Sequence, residues 1–494
     1  QTRPDRDLEH GVSPESVWAH AAGLLCMVDA AAAGTISAAE WLAPARRAFG
    51  DRLYLTLDRQ DPATAAASAE GRAQAQRHGV AIVAGQRVYY LEPEHDDLQR
   101  TLAAIRVNRP RETLAPQLLA PPNAFLPSAA ELWDRFADWD GLTDADEIAA
   151  RCSLEIEKGR QLFPALDLPD GSSAEAVLQR EATAGALRRY GSAGVVPTQV
   201  QSRLDHELAI ITTKGFAPIF LVMQEVIAFA RRVGVPSASR GSASSSLVAH
   251  CLDITTPDPL ALNLYFERFL NPARATPPDI DTDLCSRRRD RVIAHVFEHY
   301  GTERVAMVAT INCLQERSAL REVAKAFEID ADDLIDEVPF RGFGPRAARG
   351  RNGAGPYDTL RQRSSDPRYR RMLAHAEALI GQPDHLSIHP GGVVIAPGPI
   401  RDLCPVHLAG KGITITQFDL DGIERLGLIK LDLLGIRGLT VVADVAEALL
   451  EPGTPAQVGG PAPMIAMLDA IPTTDAATSE LIRTGRTIGC FQIE

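Results

Sequence analysis

The residues best equipped for chemistry are carboxylates in two short segments. The first is Pro277-Pro278-Asp279-Ile280-Asp281-Thr282-Asp283-Leu284. Read as a strand, its two-residue period puts Asp279, Asp281 and Asp283 on one face. Three carboxylates on one face repel each other, and a fold keeps them only if a cation or basic group neutralises them. The alternative is a polar loop after the two prolines. The second segment, Leu426-Gly427-Leu428-Ile429-Lys430-Leu431-Asp432-Leu433-Leu434-Gly435, reads as a buried strand. Ile429, Leu431 and Leu433 share one face, Lys430 and Asp432 the other. A Lys and an Asp in so apolar a strand need polar partners. Either they pair with each other, or Asp432 joins Asp279 and Asp281 around Mg²⁺ while Lys430 faces a phosphate. Oxygen-only ligands suit Mg²⁺ rather than zinc. Two such ions about 3.5–4 Å apart serve in-line phosphoryl or nucleotidyl transfer.

A third segment offers an anion cradle. Ser239-Arg240-Gly241-Ser242-Ala243-Ser244-Ser245-Ser246 precedes the helix-like Leu247-Val248-Ala249-His250. Small residues admit an anion to backbone N–H groups, and a helix N-terminus favours negative charge. The plainer reading is a serine-rich turn that caps a helix. No GxxxxGK[ST] is present, which excludes a P-loop ATPase.

The elements that must position these groups follow from periodicity and turn residues. The Ala-rich residues 15–50 read as helices. Leu53–Leu57, Val80–Ala84 and Val88–Leu91 read as short strands, and Asp96–Val107 as an amphipathic helix. Pro110–Pro127 is a Pro-rich boundary. Ala129–Ala137, Asp144–Cys152, Pro197–Gly215 and Ile219–Val233 read as helices. Residues 341–371 form a basic island of nine arginines and two aspartates, net +7. It is either a solvated loop or a grip on a phosphate backbone.

Composition sets the outer bounds. The chain has 494 residues, 45% hydrophobic and 23% charged, which implies two to four domains. No apolar run reaches the roughly 18 residues of a membrane span, so no membrane partner is expected. The net charge of −13 disfavours attraction of nucleic acid to the whole chain but leaves local basic patches free to bind it. Seven scattered cysteines without a CxxC argue against a zinc ribbon or disulfide framework and fit a reducing cytoplasm. The first residue is not Met and the last six lie within an apolar stretch, so a part of a longer chain is expected.

Five ordered motifs resemble the bacterial C-family polymerases, the DNA polymerase III alpha subunits. Arg240-Gly241-Ser242 is similar to that family's RGS turn. Phe266-Glu267-Arg268-Phe269-Leu270-Asn271-Pro272 with Arg274, then Pro278-Asp279-Ile280-Asp281, resemble its FERFLNP and PDxDxD block. His389-Pro390-Gly391-Gly392-Val393-Val394-Ile395, Lys430-Leu431-Asp432-Leu433-Leu434-Gly435 and Gly489-Cys490-Phe491-Gln492-Ile493-Glu494 complete the set. The resemblance implies template-directed DNA synthesis by two-metal nucleotidyl transfer, with primer-template DNA and dNTPs as partners. Asp279, Asp281 and Asp432 would be the catalytic, metal-holding aspartates, with Asp283 in support. Arg240, Gly241, Ser242, Arg268, Arg274 and Lys430 would meet the nucleotide, and Arg346, Arg349, Arg351, Arg361 and Arg363 the DNA. A sliding clamp and other replisome or damage-response subunits would bind elsewhere.

The implied fold is α/β, a multidomain α+β chain. A partial PHP-like domain (1–105) leads through a linker with helices (106–148) to a palm of the polymerase-beta-like nucleotidyltransferase type (149–310 and 389–437). A mainly helical thumb (311–388) interrupts the palm, and the start of the fingers follows (438–494). Three departures matter. Ala243 and Ser245 stand where the family's turn has Gly, a variation that error-prone members share. Thr56, Arg87 and Tyr89 replace metal-ligand types in the PHP-like part and cannot rebuild a metal site, so that part is expected to hold no metal and no exonuclease. Most of the fingers lie beyond Glu494. The rivals are a PHP-type phosphoesterase, which the lost ligands oppose, and a catalytically silent paralogue kept for DNA binding or assembly, which the retained aspartates oppose.

Overall fold

The computed structural model describes residues 13–30, 38–168, 171–274, 276–338, 355–451, 460–472 and 474–490. They form a mixed α/β structure in two compact units. One comprises 156–311 with 386–494, and the other 7–155 with 312–385.

The first unit is built on a mixed seven-stranded sheet. Its strands are β5 (Ser237–Ser239), β6 (Thr282–Cys285), β7 (Val305–Cys313), β8 (Pro383–Ile395), β9 (Val406–Leu408), β10 (Thr414–Thr416) and β11 (Lys430–Ile436), in the order β5-β6-β11-β8-β7-β10-β9. Both β6 and β11 have a strand on either side; β6 (Thr282-Asp283-Leu284-Cys285) is buried throughout, and β11 buries Leu431, Asp432 and Leu433. They pair in parallel with Leu433 opposite Thr282 and Leu434 opposite Asp283. On its other side β11 pairs antiparallel with β8, setting Asp432 opposite Gly392. One core collects Leu431, Leu433, Leu284, Val305 and Val393 with Phe220, Val222 and Val226 of the helix Ala217–Arg232. That helix therefore buries an apolar stripe rather than facing solvent. The helices Ala174–Tyr190 and Leu247–Cys251 approach so closely that a Cβ on Gly185 would lie 1.9 Å from the Cys251 carbonyl oxygen.

The second unit holds a four-stranded parallel sheet: β1 (Cys26–Asp29), β2 (Leu53–Leu57), β3 (Ala81–Ala84) and β4 (Leu142–Thr143), in that order. The helix Pro62–His78 covers it. Asp61 caps its start with Thr64 in a capping box, and Gly79 ends it in the left-handed region at φ 62°. A separate core in this unit gathers Leu320, Phe327, Tyr357, Leu373 and Ala104 from helices that include Glu316–Ala326, Pro367–Leu379 and Asp96–Val107.

Three sequence expectations change. Residues 15–50 contain the strand β1 between helices, because Cys26-Met27-Val28 is a short apolar run at the sheet edge. Val88–Leu91 forms only a bridge between Tyr90 and Phe125, since no neighbouring strand offers it a ladder. The carboxylate segment is a strand only from Thr282; Asp279 and Asp281 lie in the loop before it. Among the described residues no single helix is long and apolar enough to cross a membrane.

Gly427 sits at φ +78°, and a Cβ there would fall 1.7 Å from the Arg160 carbonyl oxygen. Gly427→Ala adds a left-handed penalty to a backbone clash at the entry to β11. It should cost about 3 kcal/mol, read as a lower midpoint in urea unfolding.

Candidate active site

The register between β6 and β11 does most of the assembly. It brings the loop before β6 alongside the first half of β11, so Asp279, Asp281 and Asp432 offer carboxylate oxygens that all lie within 4.8 Å of one another. Asp279 is exposed, Asp281 half-buried and Asp432 buried. Lys430 reaches along its own strand and donates from Nζ to Asp432 Oδ2 at 2.6 Å. Of the alternatives left open for these residues, the structure shows the Lys430–Asp432 pair, and the three carboxylates also converge. Asp432 Oδ1 is buried with no hydrogen-bond partner. Burial raises the pKa of Asp281 first, and the charges of Asp279 and Asp432 raise it further, while Arg240 and Lys430 pull it down.

Asp283 points elsewhere. Its carboxylate lies 3.4 Å from Arg240. Arg240 also donates its backbone N–H to the Asp281 carbonyl at 3.1 Å, which ties the start of the Gly241–Ser245 turn to the carboxylate loop. Gly241 takes φ 77°, open to glycine and costly for other residues.

The anion cradle is half occupied from within. Glu207, fully buried, accepts from Leu247 N at 3.0 Å, Val248 N at 3.1 Å, Ser246 Oγ at 2.8 Å and Arg203 Nε at 2.6 Å. The N-terminal amides after Ser246 therefore already hold an anion, the protein's own carboxylate, and Ser246 caps Ala249 N at 3.1 Å. The expectation that this helix start waits for a phosphate is corrected: the capping reading holds there. In the turn Gly241–Ser245, where Ser244 Oγ donates to the Gly241 carbonyl at 3.0 Å, Gly241 is exposed, Ser242 and Ser244 are half-buried, and Ala243 and Ser245 are buried. Glu207 had no signal in the sequence beyond an acidic residue inside the apolar pattern of Thr198–Thr213. Burial pushes its carboxyl up, while Leu247 N, Arg203 and Val248 N pull it down.

Arg274 is tied into its own loop. It donates to the carbonyls of Phe269 at 2.9 Å and Pro277 at 3.1 Å and to Thr276 Oγ1 at 3.0 Å, bracing the approach to Asp279. Arg268 and Ser242 bring no contact to the carboxylate cluster; Arg268 is exposed and Ser242 half-buried. His389, the first residue of its motif, accepts at Nδ1 from Gly391 N at 3.2 Å and Gly392 N at 2.7 Å. Burial lowers its pKa; Asp432 opposes that shift and Lys430 adds to it. A Cβ on Gly392 would lie 2.9 Å from His389 Nδ1 and 3.1 Å from Lys430 Cδ, so this glycine makes room for both side chains.

Of the basic island, Arg346, Arg349 and Arg351 lie outside the described residues. Arg361 pairs with Asp358 at 2.9 Å and with Glu377, and Arg363 pairs with Glu337. Both charges are compensated locally. In the four-stranded unit, Arg87 Nε lies 3.5 Å from Asp58 Oδ2 and 3.9 Å from Asp29 Oδ2. A guanidinium thus sits against two carboxylates at the ends of β1 and β2. Burial raises the Asp58 pKa, and the Gln60 N–H and Arg87 counter it.

A family profile described as the bacterial DNA polymerase III alpha NTPase domain matches residues 176–435, just over half of the chain. The chain is 35% identical over 460 residues to the error-prone DNA polymerase of Symbiobacterium thermophilum, covering 90% of this chain and 40% of the relative. It is 34% identical over 456 residues to the error-prone DNA polymerase of Alkalilimnicola ehrlichii, covering 91% and 42%. With the DNA polymerase III subunit alpha of Caulobacter vibrioides the identity is 33% over 512 residues, covering 99% and 44%. The chain thus spans well under half the length of these relatives.

Two outcomes test the site as a structure. Glu207→Ala strands two amides, a hydroxyl and Arg203, and should cost about 3–5 kcal/mol in urea unfolding. Asp281 has a folded pKa above its unfolded one. Its contribution to stability is fully present below the ordinary carboxylate pKa and is lost as pH rises through the folded value. In buffer with EDTA, Tm should fall over that window in the parent, and Asp281→Asn should flatten the fall.

Proposed function

The chain belongs to the bacterial DNA polymerase III alpha family, and on that premise we propose that it carries the catalytic centre of a DNA-directed DNA polymerase. The reaction is template-directed transfer of a nucleotide from a dNTP to a primer 3′-OH. The observation that carries the reading is the convergence of Asp279, Asp281 and Asp432 from two separate segments.

These three carboxylates fit Mg²⁺. The donor set is all oxygen, and the buried Asp432 Oδ1 has lone pairs that no protein donor meets. Two bound Mg²⁺ ions would supply activation of the primer hydroxyl and stabilisation of the departing pyrophosphate. The chain's own groups do the rest. Lys430 donates to Asp432 and would offer its charge to a triphosphate oxygen. Arg240 and Gly241-Ser242 line the approach on the open side of the turn, and Arg268 adds an exposed positive charge for the triphosphate. Arg274 acts by holding the loop that presents Asp279. Gly392 and His389 keep the space beside Asp432 small and fixed.

The domain reading is part of the proposal. Residues 149–310 and 389–437 would form the palm and 438–494 the start of the fingers. Residues 311–388 would be the thumb; the chain's passage out of the first unit after 311 and back at 386 supports an inserted segment. Its arginines 346, 349 and 351 would meet DNA phosphates, whereas Arg361 and Arg363 must first leave their carboxylate partners to do so. Residues 1–105 would be a PHP-like platform without metal, with Arg87 taking the cation's part between Asp29 and Asp58. The two error-prone relatives favour the damage-tolerant branch, whose partners would be a sliding clamp and other damage-response subunits.

The decisive experiment is primer extension by the longest natural form of this chain, wild type against Asp281→Asn and Asp432→Asn. Each variant should lose about two to four orders of magnitude in rate while its far-ultraviolet circular dichroism is unchanged. Near-normal extension by either variant overturns the mechanism. Wild-type protein that binds DNA without extending a primer would favour a silent paralogue.

A further inference from the structure

A second group of potential ligands lies apart from the carboxylate centre. The helix Arg289–Tyr300 carries His295 and His299 four residues apart, which puts both on one face. The helix Ala217–Arg232 packs beside it and presents Glu225. One ligand atom from each of Glu225, His295 and His299 lies within 4.8 Å of the others. His295 Nε2 and Glu225 Oε1 are 2.7 Å apart. The second carboxylate oxygen, Glu225 Oε2, is buried and has no hydrogen-bond partner. The His295 ring lies flat on Phe229, centroids 3.7 Å apart and 4° from parallel, which fixes its plane. The His299 ring stacks on His295 at 5.4 Å and remains exposed, leaving a route from solvent.

We propose that Glu225, His295 and His299 bind a zinc ion that clips these two helices together. Two imidazoles and one carboxylate suit a borderline cation, and zinc takes such a set with bonds of about 2.0–2.2 Å. A tetrahedral ion with those bonds holds its ligand atoms about 3.4 Å apart. The present spacing needs His295 and Glu225 to open by less than 1 Å and His299 to close by a rotamer change. His295 offers Nε2 as the tautomer with its proton on Nδ1. With three protein ligands, water fills the fourth position.

The placement says what the clip would do. The helix Ala217–Arg232 leads through a short turn into β5, and β6 leads directly into the helix Arg289–Tyr300. β5 and β6 are antiparallel neighbours, Ser239 opposite Thr282. An ion joining the two helices locks the outer ends of the two strands whose inner ends carry Arg240 and Asp281. The role is structural, and it stands whether or not the polymerase reading does.

The test is equilibrium dialysis of the full chain, with its thiols reduced and Mg²⁺ in excess to occupy the aspartates, against Zn²⁺. Wild type is compared with His299→Ala, whose side chain is exposed, and with Glu225→Gln, which keeps the shape. Wild type should hold one zinc more per chain than either variant, or bind it at least about tenfold more tightly. Zn²⁺ should raise the Tm of wild type and leave that of His299→Ala unchanged. Co²⁺ substituted at the site should give ligand-field bands without thiolate charge transfer. Equal zinc content and equal Tm shifts in all three proteins overturn the proposal. So does a thiolate spectrum that survives His299→Ala, which would assign the metal to cysteines.

Discussion

Mutual repulsion among Asp279, Asp281 and Asp432 is the constraint around which the first unit is arranged. Their oxygens lie within 4.8 Å of one another, and Asp432 is buried. Like charges that close would shift towards protonation in an apolar setting. The chain answers with Lys430 two residues along the same strand and Arg240 on the neighbouring turn. The parallel pairing of β6 with β11 fixes the approach, and the pairing of β11 with β8 puts a glycine where any larger residue would crowd Lys430. A rigid sheet supplies the geometry, and mobile side chains supply the charge balance.

The Ser-rich turn shows how a fold can spend an anion site internally. Glu207 satisfies the amides of Leu247 and Val248 and is itself held by Arg203 and Ser246. The helix start is thereby locked without any ligand. What is left exposed in the preceding turn is Gly241, with Ser242 and Ser244 half-buried, and the Arg240 N–H holds the turn to the carboxylate loop. Under the proposed reading, recognition of a phosphate at this place would rest on a few side chains and turn amides rather than on a helix dipole.

Much of this was legible from the residues. The apolar run 426–435 around Lys430 and Asp432 read as a buried strand, which the structure forms from Lys430 onward, and the long periodic helices were plain. Three aspartates at alternate positions marked the site, although alternation misled in one respect. The strand begins only at Thr282, so Asp279 and Asp281 lie outside the ladder and Asp283 is a partner of Arg240. Val88–Leu91 has the composition of a strand but lacks a neighbour to pair with. Arg203 sits one turn away, but the role of Glu207 was illegible because the amides and hydroxyl it accepts from, at Ser246, Leu247 and Val248, lie about forty residues ahead in the chain. The pairing of Arg361 with Glu377 and of Arg363 with Glu337 was hidden for the same reason.

Arg87, set against Asp29 and Asp58, carries a consequence of its own. A positive charge tethered by the backbone has a local concentration that the surroundings cannot change. It does not leave on dilution, and what weakens it is salt, which screens a contact whose guanidinium is half-exposed. The contact at the ends of β1 and β2 therefore follows ionic strength rather than the concentration of any one partner.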